Sequence, residues 1–384
     1  MARHARQLRG GRRLNAPWWR DGLTADERRV LDPGPGELDP RPDVLIVGGG
    51  AIGLATAVMC KRAGIERVQL IEREHLAAGP SGSAAGGLSP GMYTLARPGP
   101  FADLAWESLR LYRELDEEWG GALALRPLDW LIVSPDRIPP GSIEGEGVSV
   151  LDAGAARAAE PGLFHEISGA ISVPGQSWVQ PQHLAVELAR RAGNVTTSVA
   201  MTEMETSDGR ISRIRTTGGD VSPGALVLAT GSAPPGIPVP TLVVKGHLLV
   251  TGPIPDPPRT GIASSVIVLP LPDGRLLAGG TFDTGDDEPV VRDRVVEGIR
   301  SEMARILPET ADLPTERVWC CFRPGTPDEL PVIDRVPGLD NAWMSVGHFR
   351  TGLLLAAGAG KALAGWMAGG VPAGLDAFAL SRFS

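Results

Sequence analysis

The sequence predicts an α/β protein with a nucleotide-binding unit near its amino-terminal end. Three observations carry that prediction. The apolar run Asp43 to Val47 leads straight into Gly48-Gly49-Gly50-Ala51-Ile52-Gly53, and a helical stretch to about Ala63 and a second apolar run, Val68 to Ile71, follow. A further apolar strand, Ala225 to Gly231, ends in a small-residue turn. The pattern Val266 to Leu271, Asp273-Gly274, Arg275 to Ala278 reads as strand, turn, strand. The 384 residues, 42% of them hydrophobic, suffice for two domains or one large α/β body.

Charge and cysteine content narrow the class. A formal net charge of −8 argues against a general nucleic-acid or anionic-membrane partner. No apolar run approaches the ~20 residues of a membrane helix, and Arg12-Arg13 is followed by no apolar segment of signal-peptide length, so a cytoplasmic protein is expected. Cys60, Cys320 and Cys321 have no CxxC spacing, which leaves neither a disulfide framework nor a zinc knuckle, and no metal is expected. Residues 1–40, rich in arginine and carrying Trp18-Trp19, read as a loosely ordered or surface-packed extension. Only two tyrosines, Tyr93 and Tyr112, stand beside nine tryptophans.

The glycines of the first motif serve a tight turn, the approach of a pyrophosphate to backbone, and close helix–strand packing. The helix start adds free N–H groups and the positive end of a dipole. Gly48, Gly50, Ala51, Ile52 and Gly53 are therefore the expected phosphate contacts. Glu72, 19 residues after Gly53, is placed to accept hydrogen bonds from ribose hydroxyls and to repel a 2′-phosphate. Further on, Phe101, Leu104, Ala105, Leu109, Tyr112, Leu115 and Trp119 mark one amphipathic helix, and Val295, Val296, Ile299, Met303 and Ile306 another.

Two segments point to FAD rather than NAD. Ala225-Leu-Val-Leu-Ala-Thr-Gly231 resembles the ATG segment of two-dinucleotide-binding-domain flavoproteins, and Ser81 to Pro90 resembles the loop that carries FAD in their amine-oxidising branch. With Cys320-Cys-Phe-Arg323-Pro-Gly-Thr-Pro-Asp and Gly347-His348-Phe-Arg350-Thr-Gly352-Leu-Leu-Leu355, the chain from Asp43 to about Ala368 resembles the D-amino acid oxidase family, most closely its glycine oxidase, thiazole-biosynthesis branch.

That resemblance implies a Rossmann-like FAD domain, residues 41–120, 177–235 and 319–384, interwoven with an antiparallel-sheet substrate domain, residues 121–176 and 236–318. Its implied cofactor contacts add Arg73, Ser83, Ala84, Ala85, Gly86, Val199, Thr230, Gly231, Thr351, Gly352 and Leu353. Arg323 would clamp the substrate carboxylate through its planar fork, with a salt bridge to Asp328 or Glu329 as its structural alternative. Arg350 would sit beside substrate and flavin, and His348 is a base or, preferably, a buried structural residue. The implied chemistry is hydride transfer from the substrate Cα to flavin N5, reoxidation by O2 to hydrogen peroxide, and imine hydrolysis. A role of Lys245 in oxygen activation is weighed below a structural one.

Departures from the family pattern bear on substrate. The pocket tyrosine of glycine oxidases falls at Ile267, and a flavin-side methionine at Gly87. An apolar, opened pocket favours an N-substituted glycine with an apolar tail, cleaved to glyoxylate and a primary amine. A glycine or D-amino acid oxidase for small free amino acids, a dehydrogenase of the same fold using a carrier in place of O2, and a nonenzymatic flavin-binding protein are the alternatives. Cys321 matches the flavin-linking cysteine of monomeric sarcosine oxidases, yet noncovalent FAD is expected because Arg323 places the chain with the glycine oxidases. Relatives are often tetramers, so a homo-oligomer is left open.

Overall fold

In the computed structural model, which describes residues 22–134, 136, 147–370 and 372–383, Val44–Val47 and Ala225–Gly231 lie side by side in the middle of a six-stranded sheet. Its order is Val332–Arg335, Ala342–Val346, Ala225–Gly231, Val44–Val47, Val68–Ile71 and Asn194–Thr196. Neighbours are parallel except for the antiparallel edge pair Val332–Arg335 and Ala342–Val346. Strands buried on both faces are what continuous apolar runs specify. Val44 and Ile46 face a helical layer, and Leu45 and Val47 face an antiparallel meander of Met201–Ser207, Arg210–Thr216 and Gly219–Val221.

The helical layer consists chiefly of Ala51–Arg62, Pro100–Glu118, Pro181–Ala189 and Gly352–Met367. The last of these crosses the first so closely that a Cβ on Gly360 would lie 2.9 Å from the backbone of Ala55 and Thr56. Tyr112 and Ser108 pin its start by donating to the carbonyls of Leu353 (2.9 Å) and Leu354 (2.5 Å).

The second body is an eight-stranded sheet, ordered Thr315–Gly325, Leu242–Thr251, Leu276–Gly279, Ile267–Pro270, Gly261–Ala263, Trp130–Ser134, Gly169–Val173 and Ser149–Asp152. The hairpin expected at 266–278 forms, with Ile267 opposite Gly279 and Pro270 opposite Leu276. One sheet face packs under the helix Asp293–Ile306, through Ile299, Met303 and Ile306 against Leu249, Val268 and Ala278. The other face carries Trp130, Leu248, Leu269, Leu277 and Trp319. Thr315–Gly325 pairs with Leu242–Thr251 in continuous register from Arg317 to Gly325, and one register shift at Val250/Thr251 precedes the last pair, Thr251 with Thr315. The domain boundary expected between residues 318 and 319 therefore cuts a continuous strand, because its hydrogen bonds keep residues 319–325 in the antiparallel sheet.

The amino-terminal extension divides. Trp18-Trp19 and the arginines up to Arg20 lie outside the described residues. Residues 22–40 are docked: Ala25–Leu31 is a helix with a Thr24/Glu27 capping box, and Leu23 and Leu31 enter the helical core. Among the described residues no helix is long and apolar enough to cross a membrane.

Candidate active site

The first motif folds as its glycines require. Gly48 adopts φ +117° in the turn after Val44–Val47, and a Cβ there would collide with the Ala229 carbonyl; one on Gly53 would collide with the Gly48 carbonyl. The helix Ala51–Arg62 thus starts against the sheet with its first-turn N–H groups pointing into a cavity. The Ala51 N–H is held by Ser81 Oγ at 3.0 Å. Glu72 accepts from the amides of Gly49 (2.7 Å) and Glu74 (2.9 Å). A carboxylate has about four lone-pair sites, so capacity remains for ribose hydroxyls.

This cavity, of about 860 Å³, runs from Gly48, Gly50 and Glu72 to Arg323, Arg350 and Ile267, at the upper end of the range for small-molecule sites. Of the expected cofactor residues, Ile52, Arg73, Ser83, Ala84, Ala85, Gly86, Val199, Thr230, Gly231, Gly352 and Leu353 also line it. Ala51, Gly53 and Thr351 stand behind the lining and shape the two helix starts. The loop Ser81–Gly87 is fixed from outside: Trp178 Nε1 donates to the Ala85 carbonyl (2.8 Å) and Trp319 Nε1 to that of Ser83 (3.0 Å). Two helix starts, the glycine cradle and an elongated cavity fit a dinucleotide. So does His348, whose ring is buried with Nε2 on Ser345 Oγ (2.9 Å) and Nδ1 without a partner among the described residues. Burial pushes the His348 pKa down to about 3, so the ring is neutral at ordinary pH.

Strand alternation positions the other end. Trp319, Cys321 and Arg323 alternate along Thr315–Gly325 and all reach the cavity. On the neighbouring strand Gly246 and Leu248 do the same, while Lys245 and His247 point to the opposite face. The Arg323 guanidinium lies across Gly246, where any Cβ would overlap it. Nη1 donates to the Thr281 carbonyl at 2.7 Å, and burial lowers the pKa; an arginine still keeps its charge. The alternative of a salt bridge to Asp328 or Glu329 does not hold. Those carboxylates pair with Arg382 (2.8 Å) and Arg97 (2.6 Å), and Arg323 has no ion pair among the described residues.

Two features escaped the sequence. Tyr93, on the short helix Pro90–Thr94, lines the cavity with the Arg350 guanidinium 5.2 Å from its ring centroid. The Ile267 position does lack a phenol, but a phenol enters the cavity from a different element. Phe282 lines the cavity while 51% exposed, with Arg323 and Arg350 at 5.3 and 5.4 Å from its ring centroid. Gly87, where an opening is expected, lines the cavity beside Trp130. A Cβ there would meet Trp130 at 3.4 Å, and Trp130 is buried and tied to Ser89 Oγ at 2.6 Å.

Lys245 is fully buried, and its Nζ donates to Asp286 Oδ2 (2.9 Å) and to the carbonyls of Glu288 (2.7 Å) and Val290 (2.6 Å). His247 accepts at Nε2 from the Arg292 amide (3.1 Å), so its proton sits on Nδ1 and is donated to Asp283 (2.7 Å). Together they hold the segment 281–292 from behind. Cys321 reaches the cavity as a thiol whose pKa burial raises.

Comparison with known proteins agrees with this geometry. A family model described as DAO, FAD dependent oxidoreductase, matches residues 43–366. The glycine oxidase of Pseudomonas aeruginosa is 29% identical over 349 residues, covering 86% of this chain and 95% of that protein. The bifunctional protein ThiO/ThiG of Synechocystis sp. is 31% identical over 331 residues, covering 82% of this chain; the chain spans about half that relative's length, 50%. Among solved structures, glycine oxidase from Geobacillus kaustophilus superposes with a TM-score of 0.77 at 25% identity, covering 90% of this chain and 98% of that one.

Proposed function

The chain belongs to the DAO family of FAD-dependent oxidoreductases, and we propose that within it this protein oxidises an N-substituted glycine bearing an apolar tail, releasing glyoxylate and a primary amine. One observation carries the reading: an arginine with no carboxylate partner among the described residues shares a cavity with an apolar wall where Ile267 stands in place of a phenol. Arg323 takes the substrate carboxylate, a bidentate match of planar groups that orients the adjacent methylene. Phe282 covers Arg323 against water, and Gly246 gives its fork room to lie flat. His348, neutral at assay pH, is no proton donor of the imidazolium kind. A substrate amine bound unprotonated needs no base to release its nitrogen lone pair.

The Gly48–Gly53 cradle, Glu72, the Ser83–Gly86 loop, Thr230-Gly231 and the Thr351–Leu353 helix start would hold FAD, which would supply a two-electron acceptor, with O2 as final oxidant and hydrogen peroxide as its product. Water then adds to the imine and splits it, so one amine, one O2 and one water give a primary amine, glyoxylate and peroxide. FAD is bound noncovalently in this reading, because burial disfavours the thiolate that Cys321 would need for attachment. A cytoplasmic location accompanies it.

Peroxide release should be measured with glycine, sarcosine, N-butylglycine and several D-amino acids. N-butylglycine is expected to exceed free glycine by about tenfold or more in kcat/KM, given the ~0.8 kcal/mol of each buried methylene. Strong turnover of glycine with no gain from the alkyl group sinks the tail, and reduction of the flavin without peroxide replaces O2 with a carrier. Acid precipitation of the same protein should leave the flavin in a yellow supernatant; a yellow pellet places it on Cys321.

A further inference from the structure

We infer that Phe282 is the specificity-determining residue of this site, and that the substrate's apolar tail leaves the cavity across its ring into solvent rather than ending in a closed pocket. The inference rests on the substrate class proposed above and adds the tail's direction and its limit. The inner end of the apolar wall is bounded by Trp130, which is buried and hydrogen-bonded to Ser89 beside Gly87. From Ile267 the wall continues to Gly280, where a Cβ would touch Ile267 Cγ1 at 3.5 Å, and two residues later comes Phe282. Phe282 and Val243 both line the cavity and are both more than half exposed, at 51% and 54%. A side chain that does both stands at the opening. Phe349, 5.9 Å from Phe282 between ring centroids, extends the same apolar surface.

The position of Phe282 is built rather than incidental. The residue before it accepts the Arg323 Nη1 hydrogen bond through the Thr281 carbonyl (2.7 Å). The residue after it, Asp283, is gripped by His247 Nδ1 (2.7 Å) and by the Thr281 hydroxyl (2.9 Å). Its ring therefore faces both guanidinium groups, whose mutual repulsion the negative face of the π-system offsets. A carboxylate seated on Arg323 lies under this ring, and an N-alkyl chain running outward lies along it.

Alkoxyacetates, isosteres in which ether oxygen replaces the amine, bind without being oxidised and can be followed through perturbation of the flavin absorbance of the holoenzyme. For the wild type, Kd should fall by about fourfold for each methylene between methoxyacetate and butoxyacetate, the equivalent of ~0.8 kcal/mol. It should then level off, with octyloxyacetate binding as well as butoxyacetate. Phe282→Ala should lose about tenfold or more of the butoxyacetate gain, read as the ratio of the methoxyacetate and butoxyacetate Kd values within each enzyme so that any weakening of the shared carboxylate seat cancels. Phe282→Leu should recover part of the gain, and its folding is not in question at a half-exposed position. An undiminished butoxyacetate gain in Phe282→Ala overturns the role of Phe282, and rejection of octyloxyacetate by the wild type overturns the open exit. A wild type that binds butoxyacetate no better than methoxyacetate overturns the apolar-tail reading itself, a result distinguishable from the other two.

Discussion

Gly246 is the residue on which the proposed carboxylate site turns. It occupies the interior of Leu242–Thr251, where glycine weakens a strand and marks a close approach. The approach here is that of the Arg323 guanidinium, which fills the volume of the missing side chain. Gly246→Ala should displace the far end of that arginine without removing its charge or its hydrogen-bonding capacity. A displacement of about 1 Å at a substrate-orienting group lowers kcat/KM by about 100-fold, while the fold should lose little stability, because the displaced atoms are the far end of a flexible side chain. Steady-state kinetics beside thermal unfolding and flavin content checks this; a Gly246→Ala enzyme with full kcat/KM would show that the flat seating of Arg323 is unimportant. The sequence Val243-Val-Lys-Gly-His247 displays the strand glycine openly, but nothing in it says which side chain comes to lie there. Arg323 is 77 positions later in the chain, and only the register Gly246 opposite Cys321 brings the two together.

At the level of elements, legibility follows locality. Val44–Val47, Ala51–Arg62 and Val68–Ile71 form within a residue or so of where apolar periodicity and glycine spacing place them, because each is decided by its own burial pattern and turn chemistry. The same holds for Ala225–Gly231, for the 266–278 hairpin and for Asp293–Ile306, whose apolar face is apparent at helical spacing. The elements that escaped are those whose meaning depends on distant partners. Pro90–Thr94 is a five-residue helix with no periodicity to read, and it alone decides that the Tyr93 ring enters the cavity. Thr315–Gly325 mixes charged and apolar residues, and its eleven-residue span is fixed by pairing with Leu242–Thr251 rather than by its own pattern. The segment 281–292 has acidic, turn-like composition, and its order comes from two side chains on the back of a strand 40 residues earlier. Hence the arginines of the site could be named from the sequence, whereas the aromatic surface around them could not.

At the scale of the whole molecule, the cavity lies between two sheets with opposite demands, and Lys245 belongs to the one that shapes it from behind. The parallel sheet presents helix starts to a dinucleotide, while the antiparallel sheet presents alternate side chains of two long strands to a substrate. In the interior of Leu242–Thr251, His247 between Gly246 and Leu248, and Lys245 before them, face away from the cavity. A buried ammonium is tolerable only when its donors are satisfied, and the Lys245 group is met by one carboxylate and two carbonyls of the 281–292 segment. Its direction ties it to the segment that carries Thr281, Phe282 and Asp283, and it does not line the cavity. Lys245→Met keeps the length and removes the three hydrogen bonds that tie Asp286, Glu288 and Val290 to the strand, each worth about 1.5–3 kcal/mol as a bond from a charged donor. The loosened segment should raise KM for N-butylglycine by about tenfold, the equivalent of ~1.4 kcal/mol of lost positioning. Meanwhile the rate at which O2 reoxidises the reduced enzyme should stay within about twofold of wild type, since no group facing the flavin has changed. Stopped-flow reoxidation against steady-state KM separates the two: a large fall in the oxygen reaction with KM unchanged would make Lys245 an oxygen-activating group and remove it from the account of how Phe282 and Arg323 are held.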